Sequence, residues 1–187
     1  MQITFHLKIG REQEYKMNKD DYLIFEAYLK ENAQPVCKTD ADVSKRWYIN
    51  GKCHREDGPA IERANGSKSW YINGKCHRED GPAAEYADGS KYWYIQGKQH
   101  REDGPAIEYA DGDKFWYQKG NLHRDDGPAV EYPAHKEYFY YLDGKNYDED
   151  IESWAKAVLR QRGSPNDPDA VKTFIRSILQ KQLKDLI

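Results

Sequence analysis

No stretch of this chain approaches the roughly 18 consecutive apolar residues that a membrane-crossing helix needs. The opening MQITFHLKIG has no continuous apolar core either, so neither a secretory signal nor a membrane span is expected, and the expected location is the cytoplasm. An excess of charge of one sign is missing too. Lys and Arg number 29 against 32 Asp and Glu, a formal charge of -3, which leaves no long-range field to draw in nucleic acid or an anionic membrane. Cysteine is scarce, and the odd count of three reads as free thiols in a reducing compartment, not as a disulfide framework. Apolar residues make up only 38% and the mean hydropathy is -1.06, the range of disordered chains. What is abundant excludes disorder: 13% of the residues are aromatic, with 15 Tyr and 5 Trp. The 187 residues suit about one ordinary domain and are short for a multidomain enzyme.

Self-similarity organises the rest. WYINGKCHREDGPAIE from Trp47 returns as WYINGKCHREDGPAAE from Trp70, WYIQGKQHREDGPAIE from Trp93 and WYQKGNLHRDDGPAVE from Trp116, a period of 23 residues. A fifth half-unit, YYLDGK from Tyr140, comes one residue late because Tyr132-Pro-Ala-His-Lys136 replaces a shorter turn, so the array runs from about Ser44 to Lys145. Each unit carries two turn signals, Asn50-Gly51, Asn73-Gly74 and Gln96-Gly97 in one series and Asn65-Gly66, Asp88-Gly89 and Asp111-Gly112 in the other. Such pairs supply the positive φ of tight hairpins. Between them, Trp47 and Ile49 alternate with Arg46 and Tyr48, and Ala60 and Glu62 with Ile61 and Arg63. Pro59, Pro82, Pro105 and Pro128 stand where a strand begins and a missing N–H costs least. The unit reads as a β-hairpin, and the array as about nine strands spanning roughly 43 Å at ordinary strand spacing.

The ends read as caps. Ile3, Phe5, Leu7 and Ile9 alternate with polar residues as in a strand, Gly10-Arg11 turns, and a second strand over 12–17 leads to a helix that Asn18 can cap. That helix carries Tyr22, Phe25 and Leu29 on one side, with Leu23 and Ala27 nearby, and 32–43 reads as a connector. After the array, Asp148 can cap a helix with Ile151, Trp154, Ala155, Val158 and Leu159 on one stripe, ending at Gly163. Asp167-Pro168 starts another, with Val171, Phe174, Ile175, Ile178, Leu179, Leu183 and Leu186. The organisation expected is therefore α+β: an N-terminal ββα cap and connector over 1–43, the repeats over 44–145, and a two-helix cap over 146–187 that shields the sheet's end. The stripe of Leu179, Leu183 and Leu186 would also accept a second copy of the chain.

The most conspicuous constellation is His54-Arg55-Glu56-Asp57, which recurs as His77-Arg78, His100-Arg101 and His123-Arg124 with their acidic neighbours. If each unit adds two strands, equivalent side chains lie about 10 Å apart, far beyond the ~2.0 to 2.3 Å at which ligands converge on one zinc. The same spacing keeps Cys53 and Cys76 from bridging. His123-Arg124-Asp125 copies the letters of a kinase catalytic loop, but no Gly-rich phosphate loop accompanies it. A residue that recurs once per unit belongs to the construction of the unit before it belongs to a single active site, so no enzyme activity and no cofactor is expected. Two readings remain. In one, the Asp braces the Gly-Pro turn while the Arg packs over Trp or Tyr and pairs with Glu62, Glu85, Glu108 and Glu131. In the other, the His and Arg ladder is a row of donors for an acidic protein surface or for phosphates. Trp47, Trp70, Trp93 and Trp116 read as an aromatic spine. Tyr48, Tyr71, Tyr94 and Tyr117 must then point the other way, and since one layer cannot bury two faces, one aromatic face is expected to be open.

The spacing aromatic-x-x-x-Gly-Lys-x-His-x-x-x-Gly, followed by an aromatic strand and Asp-Gly, resembles membrane occupation and recognition nexus (MORN) repeats, in their variant form. Tandem Trp-Tyr-x-Asn-Gly-x-x-His-Arg-x-Asp-Gly-Pro-Ala-x-Glu units are similar to those of proteins of tailed bacteriophages and large viruses. The chain departs from the usual pattern where Asp-Gly-Pro-Ala starts the second strand. The resemblance implies a single-layer antiparallel meander used as a scaffold or docking surface, mostly for proteins. It also implies a non-enzymatic inhibitor or adaptor acting on a host bacterial protein in the host cytoplasm, with counter-defence as one specification. The alternative is a protein that sequesters a nucleotide or other anion between aromatic and Arg ladders. Membrane and nucleic acid are not expected as partners: between 44 and 144 the array holds 15 Lys and Arg against 17 Asp and Glu.

Overall fold

The structure, a computed structural model, describes residues 5–9, 13–17, 19–31, 33–164 and 167–184. The expected residues Ile3, Gly10, Arg11, Asn18 and Leu186 lie outside these. Strands β1 (Phe5–Ile9) and β2 (Gln13–Met17) form an antiparallel pair in register Phe5 to Met17, and helix α1 (Lys19–Glu31) follows. Leu23, Ile24 and Tyr28 of α1 are exposed. The segment expected as a connector contains a strand instead, β3 (Val36–Thr39), which pairs with β4 (Lys45–Ile49) and forms one edge of the main sheet. Val36 to Thr39 is exposed along its whole length, so the residues carry no alternation that could have announced a strand.

From β3 onward the chain builds an open antiparallel sheet with ten strands in meander order, and an eleventh, Lys52–Cys53, pairs with β4 off that path. The 23-residue unit is confirmed, with one refinement. Each unit contributes two hairpins; in units two to four the strand that starts as a sheet strand breaks at the Trp, while in unit one β4 runs unbroken through Trp47. In unit two, for example, Ala84–Glu85 pairs with Lys91–Tyr92 in the sheet, while Tyr71–Ile72 pairs with Lys75–Cys76 in a separate hairpin. The Trp residues join the two parts: Trp70 N–H donates to Ala83 O, and Trp70 O accepts from His77 N–H, a pattern repeated at Trp47, Trp93 and Trp116. The outer hairpins are tied to one another by Gly74 N–H to Cys53 O and Arg55 N–H to Tyr71 O, and by the equivalent pairs along the array. The molecule is therefore a ten-strand meander with a row of small hairpins along its side.

The two turn series differ for the same reason. In the outer hairpins both central residues have positive φ, 50° and 75° at Asn50-Gly51 and 51° and 79° at Asn73-Gly74. This is the two-residue turn that matches strand twist. In the sheet hairpins at Gly66, Gly89 and Gly112 only the Gly is left-handed, at 90° in Gly66, and Arg63 N–H reaches Ser67 O across a wider loop. Buried serines join successive loops: Ser44 Oγ accepts from Ala64 N–H, Ser67 from Ala87 and Ser90 from Ala110. The series stops where Pro133, with no N–H to give, occupies the next position and Asp113 replaces the serine.

At the far end, helices α2 (Ile151–Gln161) and α3 (Pro168–Lys184) close the array. Asp150, not the expected Asp148, caps α2 by accepting from Ser153 N–H, while Asp148 accepts from Tyr140 N–H. Gly163 ends α2 at φ 65°, and Asp167 caps α3 by accepting from Ala170 N–H. Trp154, with no exposed surface, is stacked on Phe174 at 5.6 Å and meets Tyr140 edge-on at 5.0 Å, inside a core of Leu142, Val158, Val171 and Ile178. Leu179 is exposed; nothing is described of the Leu183 side chain. No described helix is long and apolar enough to cross a membrane.

Candidate functional site

Strand alternation gives the sheet two faces with different chemistry. Paired residues across successive strands read Lys45, Glu62, Lys68, Glu85, Lys91, Glu108, Lys114, Glu131 on one face, a row of alternating charge. Opposite charges directly across a strand pair are each worth about 0.2 to 1 kcal/mol. The other face reads Ile61, Ser69, Ala84, Tyr92, Ile107, Phe115, Val130, Phe139.

The His-Arg-x-Asp-Gly-Pro-Ala segments lie on the charged face. Arg55, Arg78, Arg101 and Arg124 stack over Trp47, Trp70, Trp93 and Trp116, with Cζ 3.9 to 4.2 Å from the ring centroids. In each case Nε donates to the Asp two residues on, at 2.6 to 2.9 Å, and Nη1 donates to the Pro carbonyl and to the sheet Glu. The guanidinium's second face is closed by the backbone. A Cβ on Gly81 or Gly104 would come within 3.1 or 3.0 Å of the Arg Cζ, so the Gly of Asp-Gly-Pro is needed for close approach. Arg pairing holds the Asp57, Asp80 and Asp103 carboxyls below the usual carboxylate range. The following Ala60, Ala83, Ala106 and Ala129 have no exposed surface.

The histidines link units. Nδ1 of His54, His77 and His100 accepts the backbone N–H of Asn73, Gln96 and Lys119, the first residue of the next outer turn, at 3.1 to 3.3 Å. His123 Nδ1 instead lies 2.8 Å from the Asp143 carboxylate, which can only accept, so in the fourth unit the ring donates to the next turn. An accepting Nδ1 requires the proton on Nε2, which lies 3.5 Å from Glu56 in the first unit and 3.7 Å from Glu79 in the second. In the fourth unit the segment also holds the cap: Arg162 donates to Asp125 and Lys181 to Asp126. Grooves separate successive segments; that between units two and three holds about 800 Å³ and is lined by Arg78, Glu79, Asp80, Trp93, Arg101 and Glu102. Among the described residues no three His, Cys, Asp or Glu converge as a metal would require. Cys53 and Cys76 are free thiols, and burial pushes Cys76 up to about 11.

Tyr48, Tyr71, Tyr94 and Tyr117 point to the other face, half-buried. They are not alone there. A row of six rings crosses the sheet beside them: Tyr86, Tyr92, Tyr109, Phe115, Tyr132 and Phe139, each edge-on to the next at 5.0 to 5.9 Å between centroids. No protein-family model and no curated protein matches this chain. The chemistry of the two faces is therefore the ground on which function is argued. Tyr86 and Tyr109 are 43% and 39% exposed, the most open large aromatics of the array. Burial raises the Tyr71, Tyr94 and Tyr117 hydroxyls, with further increments from Tyr86, Tyr109 and Tyr132, so the two sets of phenols adjoin. The row was not singled out from the sequence, although its signal is there. Tyr86, Tyr109 and Tyr132 recur 23 apart before the sheet turns, and Tyr92 and Phe115 recur just before the Trp. In the first unit the same positions hold Arg63 and Ser69, joined by a hydrogen bond, so the row starts in unit two.

Proposed function

We propose that the protein is a non-enzymatic scaffold that docks another protein along the tyrosine face of its sheet. The observation that carries the reading is the six-ring row with Tyr86 and Tyr109 open to solvent, on the face opposite the stacked Arg and Trp. Tyrosine provides large, rigid contact area with a polar tip and is enriched where proteins meet. The ladder of His54, Arg55, His77, Arg78, His100, Arg101, His123 and Arg124 supports docking less well, because its guanidiniums and Nδ1 atoms already have partners within the array. A host-directed inhibitor or adaptor of a phage, perturbing a bacterial defence protein, is the specification drawn from the likeness of the repeats to phage and viral ones. It rests on that likeness alone.

A small anion is the second reading, and the groove between units two and three is its place. A nucleotide there would have to draw Arg78 and Arg101 from the carboxylates they hold, which favours the protein partner. Thermal shift separates the two: a nucleotide at 100 times its Kd would add about 2.7 kcal/mol by mass action. Affinity capture from a bacterial lysate, run in parallel with the native chain and with Tyr86→Ser/Tyr109→Ser, tests the docking reading. A stoichiometric partner held by the first and lost by the second supports it; no partner, or equal capture, contradicts it.

A further inference from the structure

We propose that the aromatic row takes a proline-rich segment in the polyproline II conformation, lying across the strands and carrying a basic residue. This rests on the docking reading and names the chemistry of the partner. Equivalent rings recur every two strands, so Tyr86, Tyr109 and Tyr132 stand about 9.6 Å apart at ordinary strand spacing. A polyproline II helix turns once every three residues and rises about 3.1 Å per residue, a repeat of about 9.3 Å. The two periods differ by only about 0.3 Å per unit, so every third residue of the ligand meets the same ring of each successive unit. An extended strand repeats its side chains every ~6.6 Å and an α-helix turns every ~5.4 Å, so neither stays in step over three units.

The chemistry of the face agrees with the period. Rings standing edge-on to their neighbours leave apolar steps between successive tyrosines, which suit prolyl rings. Polyproline II carries no internal hydrogen bonds, so its carbonyls are free to accept from phenols. Tyr86 and Tyr109 reach solvent, and Tyr94 adjoins both. Acidic groups flank one stretch of the row. Asp111 and Asp113 stand together in the unit-three loop, and Asp113 and Glu137 both act on the Tyr132 phenol. That arrangement fits an Arg or Lys of the ligand. The row is three units long, about 24 Å over five strand spacings, which matches about eight polyproline II residues.

Fluorescence anisotropy tests the assignment with a labelled octaproline peptide bearing one arginine at each end, an octaglycine peptide with the same arginines, and an oligothymidylate. The octaproline probe is expected to bind at least tenfold tighter than octaglycine. Tyr86→Ser/Tyr109→Ser is expected to weaken it at least tenfold, Tyr86→Phe/Tyr109→Phe to recover most of that loss, and Asp111→Asn/Asp113→Asn to weaken it severalfold. Equal binding of the two peptides, unchanged binding by a Tyr double variant whose circular dichroism is native, or preference for oligothymidylate would overturn it. A lysate partner lost on Tyr86→Ser/Tyr109→Ser with no octaproline binding would overturn this assignment while leaving the docking reading intact. Octaproline binding abolished by the same variant supports the assignment whether or not a lysate yields a partner.

Discussion

Arg78 touches, through one side chain, the Trp70 ring, the Gly81 backbone, the Pro82 carbonyl and the carboxylates of Asp80 and Glu85. A lysine at this place keeps the charge but has neither the plane to stack nor the fork to bridge. Arg78→Lys is therefore expected to lose most of what Arg78→Ala loses, about 2 kcal/mol from stacking and charge-assisted hydrogen bonds, read by chemical denaturation. His77 acts differently, as an acceptor across a unit boundary. His77→Ala leaves the Gln96 N–H without its acceptor, and the expected result is faster hydrogen exchange at the Gln96 amide together with about 1 kcal/mol of lost stability. Exchange at Gln96 as slow as in the parent would contradict the assignment. Arg over Trp and Arg with Glu could be read from the sequence because these residues recur in fixed spacing and opposite charge. The acceptor role of His could not, since it depends on the next unit's outer turn coming within reach of the ring, which no spacing states.

At the level of the element, the outer turns discriminate between sequences that the array otherwise treats alike. Gln96 and Lys119 sit at φ 51° and 53°, where Asn73 and Asp143 occupy equivalent turns with a side chain better suited to the left-handed region. Gln96→Asn and Lys119→Asn should each stabilise the protein by about 0.5 kcal/mol, with a corresponding rise in Tm. The two turn series looked equivalent as dipeptides and proved different in kind. What separates them is the break at the Trp, and a strand of alternating residues gives no sign of where it bends. The cap helices were legible from their stripes and from Gly163, while the shift of the cap from Asp148 to Asp150 was not, because both acids precede Ile151 and only packing assigns one of them to Tyr140. Trp154→Ala should cost about 3 to 5 kcal/mol, the range for an aromatic removed from a closed core. Docking of α3 is also pH-dependent. Burial alone would raise Asp126, but hydrogen bonds from Lys181 and Arg124 outweigh it and its carboxyl stands below the usual range. A carboxylate lowered on folding contributes stability above its ordinary range and loses it as pH falls through the lowered value. Acidification below about pH 4 should thus weaken the contact of α3 with the last unit, by no more than about 1 kcal/mol for so exposed a pair, with Asp126→Asn reducing the acid dependence of stability measured by denaturation.

For the whole molecule, nearest-neighbour contacts dominate: each unit is bonded to the next by sheet pairs, by the His acceptor, by the buried Ser and by the Gly of the outer turn. A chain built in this way tolerates the loss of an internal unit, because the cut ends carry the same partners. The tyrosine row lengthens with the array, so a ligand that follows it is measured by the number of units. The 23-residue period made this order visible in the sequence, whereas the row itself was hidden among 15 tyrosines whose face is decided only once the strands are paired. Removing 70–92, one full period, joins Ser69 to Trp93, a Trp equivalent to the one removed. Small-angle scattering of that deletion is the most direct measurement. Side-by-side units predict a folded, cooperatively unfolding protein whose largest dimension is shorter by about 10 Å, two strand spacings. A deletion that unfolds, or that keeps the parent's dimension, would contradict the ordered array on which every row described above depends.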